Sequence, residues 1–324
     1  MKSILRLFLA VSALAAAGAA FAQNWPNKPI HVIIPWPPGQ ATDLAMRMVG
    51  EKLAPVLGQP LIMENKPGAG GTIGADQVTK MASDGYTLLA GSSGPMSIAP
   101  NVDKLHYDPR KDFTAISLFA INPFVMVVNP TLPVSNLKEF IALLKANPDK
   151  YSYSSSGSGA TSHLMVALFN SMAGVKAVHV PYKGSTQAVT DVVNGQVAYT
   201  VETVPGVLSF VNSGRLKALA ISSARRSTAM PALAPVAEAG DLPGYDMFGW
   251  IGLMAPAGLP RDIAARLSAE VQKIMQAPDI RERFIALGLE PAPPGSTPEA
   301  FGEFVSKQYE RYGAAVRQAK VKLD

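Results

Sequence analysis

Short apolar runs of about five residues alternate along this chain with longer segments of helical periodicity. The first run, residues 31–35, precedes a helical pattern over residues 41–57. The next run, residues 60–64, precedes a helical pattern over residues 72–81. Strand, helix and strand in succession are typical of parallel strands joined by helical crossovers. The sequence therefore predicts an α/β fold in which mostly parallel sheets are flanked by helices on both faces.

The same rhythm starts again near residue 122, which predicts a second α/β unit inserted into the first. The predicted strands of the second unit are short, and they cover residues 124–128, 151–155, 178–180, 198–201 and 216–221. Helices are expected between them, at residues 136–147, 161–173 and 185–194. Ser135 is the predicted N-cap of the first of these helices, because a hydroxyl can accept from a free N–H group.

After the second unit, the chain returns to the first with a predicted strand over residues 250–255. Two final helices are predicted, at residues 261–276 and 298–319. The stretch just before residue 124, which precedes the second unit, is interpreted as a connection. We therefore expect two lobes joined by a hinge near residues 120–122 and 245–248. The predicted lobes cover residues 23–121 with 249–324, and residues 122–248.

The first 22 residues have the pattern of a secretory signal peptide. The basic residues Lys2 and Arg6 accompany an apolar stretch over residues 7–20, and Ala20-Phe21-Ala22 has the small-x-small form of a cleavage site. The apolar stretch is shorter than the roughly 20 residues that a membrane-spanning helix needs. We expect export to the periplasm, cleavage before Gln23 and a soluble mature chain.

The expected mature chain is weakly basic and contains no cysteine. Without Lys2 and Arg6, it has 27 basic and 24 acidic residues, a net charge of +3. The basic residues are scattered, so no nucleic-acid partner is predicted. The lack of cysteine excludes disulfides, thiol catalysis and cysteine metal sites. No pair of the four histidines has the helical spacing of metal ligands, so neither a metal nor another cofactor is predicted.

Three glycine-rich turns each follow a predicted strand and open a helix, at residues 35–43, 67–72 and 154–161. In doubly wound sheets such turns lie at the carboxyl edge, where ligands bind. A helix start offers unpaired N–H groups and a positive dipole end, which attract an anion. Tight turns and N-caps have similar compositions, so any single turn can also be purely structural.

Catalytic motifs do not match this chain. Ile73 stands at the third glycine position of a dinucleotide fingerprint, and no phosphate-loop lysine follows any of the turns. Ser158 and His163 are the nearest candidate pair for nucleophilic catalysis, but no clear orienting acid accompanies them. His163 is therefore interpreted as a packing or hydrogen-bonding residue. The sequence predicts a binding protein and not an enzyme, with an exported α/β hydrolase as an alternative.

Seven segments match the motifs of one receptor family in order and spacing. For example, residues 84–88 read D-G-Y-T-L and residues 180–184 read V-P-Y-x-G. The others are residues 35–43, 65–71, 107–113, 157–164 and 249–258. The chain therefore resembles the Bug (Bordetella uptake gene) solute receptors of tripartite tricarboxylate transporters.

The resemblance implies a two-lobed periplasmic-binding-protein fold of the Venus flytrap type II class. It implies a small organic carboxylate ligand (an amino acid, a di- or tricarboxylate, or an aromatic acid) that binds between the lobes. It also implies delivery to integral membrane transporter subunits, and we expect a monomer. A receptor of the same fold that signals to a two-component system remains an alternative.

The resemblance also implies which residues bind the ligand. One carboxylate is expected at the first turn and at the G-x-G turn, which are carried over to Gln40, Ala41, Thr42, Asp43, Ser155, Ser156, Ser158, Ala160 and Thr161. The predicted set is completed by Trp36, Ser93, Tyr182 and Glu202.

Two acidic residues of this set have alternative interpretations. Asp43 can complement the helix dipole or hold its turn in place of contacting the ligand. Glu202 can face the cleft and favour a ligand with a donor group, or it can be a solvated residue at a strand end. The chain also departs from the family at Gln40, at Ala160 and at Glu202, so a relative's ligand cannot be copied to it.

Overall fold

The computed structural model describes residues 25–321, and the predicted signal peptide, residues 1–22, lies outside the described residues. Two mixed sheets flanked by helices form this part of the chain. The strands are β1 Ile30–Ile34, β2 Leu61–Asn65, β3 Thr87–Ser92, β4 Phe113–Asn122, β5 Phe124–Val128, β6 Ser152–Ser155, β7 Val178–Pro181, β8 Tyr199–Thr203, β9 Lys217–Ile221, β10 Gly249–Pro256 and β11 Glu290–Pro291.

The α-helices of the described residues range from 4 to 22 residues in length. They are α1 Ala41–Leu57, α2 Thr72–Thr79, α3 Ala99–Val102, α4 Leu137–Ala146, α5 Thr161–Ala173, α6 Ser185–Val193, α7 Val204–Asn212, α8 Val236–Ala239, α9 Arg261–Gln276, α10 Pro278–Ala286 and α11 Pro298–Ala319. Among residues 25–321, none of these helices combines the length and apolar character that a membrane crossing requires.

The first sheet has six strands in the order β11-β4-β10-β3-β1-β2. Strand β1 pairs in parallel with β2 and β3, whereas β10 runs antiparallel to both β3 and β4. Every residue of β10 is buried, because helices cover both faces of the sheet. The sheet edge where β1 and β3 end therefore carries the turns that lead into the following helices.

The second sheet has five strands in the order β7-β6-β8-β5-β9. Strand β6 pairs in parallel with β7 and β8, and β5 runs antiparallel to β8 and β9. Four of the five strands point the same way, as predicted. The turn after β6 and the end of β8 therefore lie at one edge of this sheet.

The strand membership divides the chain into three segments. The first sheet takes its strands from residues 30–122 and 249–291, and the second takes them from residues 124–221. Asn122 pairs with Gly249 across β4 and β10, and the chain enters the other sheet at Phe124. This membership supports our proposal that residues 23–121 with 249–324 form one lobe and residues 122–248 the other.

Helix α11 packs beside the segment that leads back from the second sheet into β10. The rings of Phe301 and Phe304 meet the Trp250 ring edge-on, with centroids 5.6 and 6.0 Å away. Arg311 donates to the Asp246 carboxylate at 2.8 Å, and the Tyr312 hydroxyl donates to the Phe248 carbonyl. These contacts stabilise the proposed hinge segment on one side.

Several elements differ from the sequence-based predictions. The predicted bounds of α1, α5, α9 and α11 agree with the structure, but the interpretation of residues before 124 as a connection is wrong, because β4 forms there. Strand β4 lies between β10 and β11, so it is buried and lacks the alternation of a half-exposed strand. Both predicted final helices form, but the sequence analysis did not predict α10, which begins at Pro278 directly after α9.

The N-cap of α4 is also shifted by one residue from the prediction. The side chain of Asn136, and not that of Ser135, accepts from the Glu139 N–H at 2.9 Å. The N–H of Ser135 donates to the Glu139 carboxylate at 2.6 Å. This reciprocal arrangement is a capping box displaced by one position.

A pair of glycine variants tests the packing of α11 on the first sheet. A Cβ at Gly252 of β10 would lie 2.7 Å from the Ser117 carbonyl oxygen and would meet the Phe301 ring. We expect Gly252→Ala to lower the free energy of unfolding by about 1–3 kcal/mol, because backbone must move. Gly302→Ala meets only the Ala115 Cβ at 3.9 Å. It should raise stability by up to about 1 kcal/mol through helix propensity.

Urea denaturation measures both effects as shifts of the unfolding midpoint. Equal midpoints for the two glycine variants would contradict the close packing at β10.

Candidate functional site

The turn after β1 brings Gln40 and the first residues of α1 to the edge of the first sheet. Gln40 is the N-cap of α1, with extended backbone angles (φ −79°, ψ 162°), and its side chain makes no cap hydrogen bond. Its amide group is therefore not used to close the helix. Ala41 and Thr42 follow as the first two helical residues, and both are buried.

Asp43 holds this turn in shape. Its carboxylate accepts from the Gly39 N–H at 2.8 Å, from Arg47 Nε at 2.8 Å and from Asn65 Nδ2 at 2.9 Å. These bonds join the turn to the helix and to the end of β2. The interpretation of Asp43 as a residue that holds its turn is therefore the one that the contacts support.

The G-x-G turn after β6 has a similar arrangement in the second sheet. Ala160 is the N-cap of α5, with φ −73° and ψ 163°, and its methyl group offers no cap hydrogen bond. The Ser162 hydroxyl instead accepts from the Ser156 N–H at 2.9 Å and lies 2.8 Å from the Ser156 hydroxyl. Thr161, the first residue of α5, projects from the same helix start.

Side chains and backbone of the two sheets meet directly at these turns. The hydroxyls of Ser93, after β3, and Thr161 are 2.8 Å apart. A Cβ at Gly70 would lie 2.9 Å from the Ser158 carbonyl oxygen, so the second glycine-rich turn packs on the third. The Gln40 amide reaches the Gly184 backbone, which leaves no room for a side chain there. The cleft between the sheets is therefore closed by contacts.

A small cavity of about 30 Å³ lies behind these contacts. Eight predicted site residues line it: Trp36, Gln40, Ala41, Thr42, Ser93, Ser156, Thr161 and Glu202. Seven further residues complete the lining: Ser92, Asn122, Phe124, Ser185, Thr203, Trp250 and Ile251. In this closed arrangement the volume holds about one or two water molecules, so a larger ligand requires the two sheets to move apart.

Helix starts surround the cavity. Ala41 and Thr42 begin α1, Thr161 begins α5, Ser185 begins α6, and Thr203 is the N-cap of α7. Four helices thus begin at the wall of one cavity. Because the N-terminus of a helix carries partial positive charge and free N–H groups, the site favours negative charge.

Ser155 and Tyr182 lie outside the lining. The Ser155 hydroxyl is 2.7 Å from His179 Nε2 beneath the G-x-G turn. The Tyr182 hydroxyl donates to Asp191 Oδ2 at 2.6 Å, and burial raises its pKa to about 12. Both side chains are engaged within the second sheet's own helices and turns, so their assignment to the ligand stays a prediction.

Ser158 and Ala160, like Asp43, also lie outside the lining. Ser158 faces the Gly70 turn, and the Ala160 N–H donates to the Gly157 carbonyl at 3.0 Å. These two residues form the contact between the turns instead of the cavity wall. Their predicted contact with the ligand also stays a prediction.

The lining residues that the sequence analysis missed lie at or beside the ends of strands and the starts of helices. Ser92 ends β3, Asn122 ends β4 and Phe124 begins β5, while Ser185 begins α6 and Thr203 follows Glu202. Strand ends and helix starts are the general signal for such positions. Asn122 lies in the predicted hinge and Phe124 begins a predicted strand, but their position at the cavity depends on the pairing of β4 with β10, which is a tertiary feature.

His163 contributes to the G-x-G turn from the first turn of α5. Its Nδ1 accepts from the Gly159 N–H at 3.2 Å, and its ring stacks on that of His179 with centroids 4.0 Å apart. These contacts support the predicted packing and hydrogen-bonding role. Within residues 25–321, no three His, Asp or Glu side chains are grouped closely enough to hold a metal ion.

Four buried polar atoms on the lining residues have no hydrogen-bond partner in the described part of the chain. They are the donors Gln40 Nε2 and Trp250 Nε1 and the acceptors Asn122 Oδ1 and Glu202 Oε1. Each such atom costs on the order of 1–3 kcal/mol when it is buried without a partner. Their concentration at one cavity marks it as the candidate site, because a bound ligand or ordered water can complete them.

Glu202 is fully buried, so the alternative of a solvated residue at a strand end is wrong. Its Oε2 accepts from the Ser185 hydroxyl at 2.7 Å and from the Thr203 N–H at 3.0 Å. Burial raises the pKa of Glu202, and the nearby hydroxyls and the Thr203 N–H offset only part of this increase. Glu202 lines the cavity, and its Oε1 has no hydrogen-bond partner among the described residues, although the Ser156 and Ser162 hydroxyls lie near the carboxyl group.

A Glu202→Gln variant tests the electrostatic cost of this buried carboxylate. The folded state raises the pKa, so it binds the proton more tightly than the unfolded state. The free energy of unfolding of the ligand-free wild type should therefore fall as pH rises above the unfolded value of about 4.3. Glu202→Gln keeps an acceptor for Ser185 but carries no charge. It should be more stable at pH 8 by on the order of 1–3 kcal/mol.

Thermal unfolding at several pH values measures this difference, which should shrink towards pH 4. The exposed residue Glu238 provides the matched control, and Glu238→Gln should show no such pH-dependent gain. A Glu202→Gln protein that is less stable than the wild type at pH 8 would show that the buried carboxylate does not destabilise the ligand-free protein.

Two of the three tryptophans should report ligand binding. Trp36 donates from Nε1 to the Ser92 hydroxyl at 2.8 Å, and Trp250 lies fully buried with its Nε1 at the cavity. A ligand should change intrinsic fluorescence because it alters the polarity around both indoles. Trp25→Phe, which changes a ring beside Tyr86, should keep this signal, whereas Trp250→Phe should reduce it. A silent spectrum at saturation would place the ligand elsewhere.

The chain is similar to proteins of one receptor family along most of its length. The family model for the tripartite tricarboxylate transporter family receptor matches residues 45–321. Protein BugT of Bordetella pertussis is 35% identical over 325 residues, which cover 100% of this chain and 98% of BugT.

Solved structures agree with this assignment. A Rhodopseudomonas palustris protein with adipate has a TM-score of 0.88 and 29% identity, covering 93% of this chain and 100% of its own. MatC from Rhodopseudomonas palustris with bound malate has a TM-score of 0.85 and 32% identity, covering 90% of this chain and 100% of its own. These relatives are substrate-binding proteins, so the alternative of a hydrolase is wrong. The chain belongs to the tripartite tricarboxylate transporter receptor family and is a periplasmic solute-binding receptor of the Bug, or TctC, type.

Proposed function

We propose that this receptor binds a small organic carboxylate in the cavity between its two sheets and delivers it to the integral membrane subunits of a tripartite tricarboxylate-type transporter. We also propose that the N-terminal signal peptide exports the chain to the periplasm. The relatives with adipate and malate support a carboxylate ligand, and the family's description supports a transporter partner.

The convergence of helix starts on one cavity carries this proposal. The first turn of α1 comes from the first sheet and the first turn of α5 comes from the second, and both line the cavity. Their hydroxyls, Thr42 and Thr161, can donate to carboxylate oxygens, as can the unpaired amide of Gln40. A carboxylate that bonds to both sheets would stabilise the closed cleft relative to an open one.

A thermal-shift screen of organic acids tests the proposal, after unfolding and refolding have removed any co-purified ligand. A ligand that binds only the folded protein should raise its melting temperature, with about 2.7 kcal/mol gained at one hundred times Kd. Thr42→Val and Thr161→Val should each weaken the identified ligand by about 5–30-fold, because each removes one hydroxyl donor. Isothermal titration measures these affinities.

Thr190→Val is the matched control for these variants. The Thr190 hydroxyl is exposed and donates to the Thr186 carbonyl within α6, away from the cavity. Its affinity should equal that of the wild type. Failure of every carboxylate to raise the melting temperature at millimolar concentration, or wild-type affinity in both cavity variants, would overturn the proposed function.

A further inference from the structure

Charge is distributed unevenly around the cavity. Among the described residues that line it, Glu202 is the one ionisable side chain, and no lysine, arginine or histidine accompanies it. The carboxylate is fully buried, and one of its oxygens has no donor. A buried charge without an opposite charge is costly, so this site favours a proton, or a ligand group that donates, at Oε1.

The four helix starts divide into two pairs. The pair formed by α6 and α7 is already occupied, because Ser185 and Thr203 donate to Glu202 Oε2 at 2.7 and 3.0 Å. The pair formed by α1 and α5 has no protein carboxylate in the cavity lining, because Asp43 in the first turn of α1 lies outside the lining and pairs with Arg47. A ligand carboxylate therefore belongs at α1 and α5, which leaves the rest of the ligand to meet Glu202.

The unpaired atoms on the lining residues include both donors and acceptors. Gln40 Nε2 and Trp250 Nε1 are donors that suit two carboxylate oxygens. Glu202 Oε1 and Asn122 Oδ1 are acceptors that suit N–H groups. A second ligand carboxylate at Glu202 would place two negative charges in a site with no protein cation in its described lining, and one of them would have to take up a proton.

We propose that Glu202 selects a carboxylate that also carries a protonated nitrogen, which donates to Glu202 Oε1 while the carboxylate lies at the starts of α1 and α5. This selectivity rests on the proposed carboxylate-binding function of the same cavity. The ligand is then a zwitterion, whose ammonium group neutralises the buried carboxylate. An ammonium has three N–H donors, so it can also bond to Asn122 Oδ1.

Matched pairs of compounds test this selectivity without any mutation. In each pair an ammonium replaces one carboxylate or one hydroxyl of the same skeleton. The pairs are succinate with β-alanine, glutarate with γ-aminobutyrate, adipate with δ-aminovalerate, p-(carboxymethyl)benzoate with p-(aminomethyl)benzoate, and lactate with alanine. We expect the tightest-binding compound to be an amino acid and to bind at least about tenfold more tightly than its partner, measured by isothermal titration on refolded protein.

The Glu202→Gln variant provides the second test. It should bind the preferred amino acid at least about 30-fold more weakly, because the ammonium loses its counter-charge in a desolvated site. The matching compound without nitrogen should bind the variant as tightly as, or more tightly than, it binds the wild type. Glu238→Gln makes the same chemical change on an exposed side chain and should leave both affinities unchanged.

The outcomes separate the selectivity from the function on which it rests. If compounds without nitrogen bind the wild type as tightly as their amino partners, the selectivity is overturned and the carboxylate function stands. An unchanged amino-acid affinity in folded Glu202→Gln protein would overturn it as well. If no compound of either kind binds the wild type, both the carboxylate function and the selectivity are overturned.

Discussion

The burial of uncompensated polar groups at one cavity is the constraint on which this receptor depends. A folded protein pairs nearly all of its buried donors and acceptors, because each orphaned group costs free energy comparable to a lost hydrogen bond. Here, Gln40, Asn122, Glu202 and Trp250 each carry one such group into the same cavity. The protein alone does not satisfy them, so the free energy lost there is available to a ligand that does.

The helix starts at the cavity are rigid, and their N–H groups point in fixed directions. Turns after β1 and β6 aim the starts of α1 and α5 at one point, and the start of α6 and the N-cap of α7 hold the Glu202 carboxylate. The direct bond between Ser93 and Thr161 closes the cleft with two neutral hydroxyls at 2.8 Å. This neutral bond contributes only about 1 kcal/mol and acts together with the Gly70–Ser158 and Gln40–Gly184 contacts, so a ligand that bonds to both sheets adds to the closure.

Stability and specificity oppose each other at Glu202. Desolvation raises the pKa of its carboxyl group, which shows that the charged form is disfavoured in this environment. Such destabilised groups are common at functional sites, where the ligand supplies the missing interaction. A neutral residue would give a more stable free receptor, but it would not discriminate between an ammonium and a carboxylate in the ligand. The buried charge thus lowers the stability of the free receptor, but it allows the cavity to discriminate between an ammonium and a carboxylate in the ligand.

The sequence by itself determined the α/β class, the receptor family and the bounds of the long amphipathic helices such as α1 and α11, because these depend on local periodicity and on motifs contiguous in the chain. It also identified the turns that supply Gln40, Thr42 and Thr161. Only the tertiary structure decided that β4 is a central strand, since full burial removes the alternation that reveals a strand. Only the packing of one sheet against the other decided that Asn122, Phe124 and Trp250 line one cavity with Glu202. Only the folded chain decided that Asp43, Ser155 and Tyr182 lie outside this lining, where they bond to Asn65, His179 and Asp191 respectively. Burial and unsatisfied hydrogen bonds are properties of the assembled neighbourhood, and residues far apart in the chain acquire them only when the two sheets close.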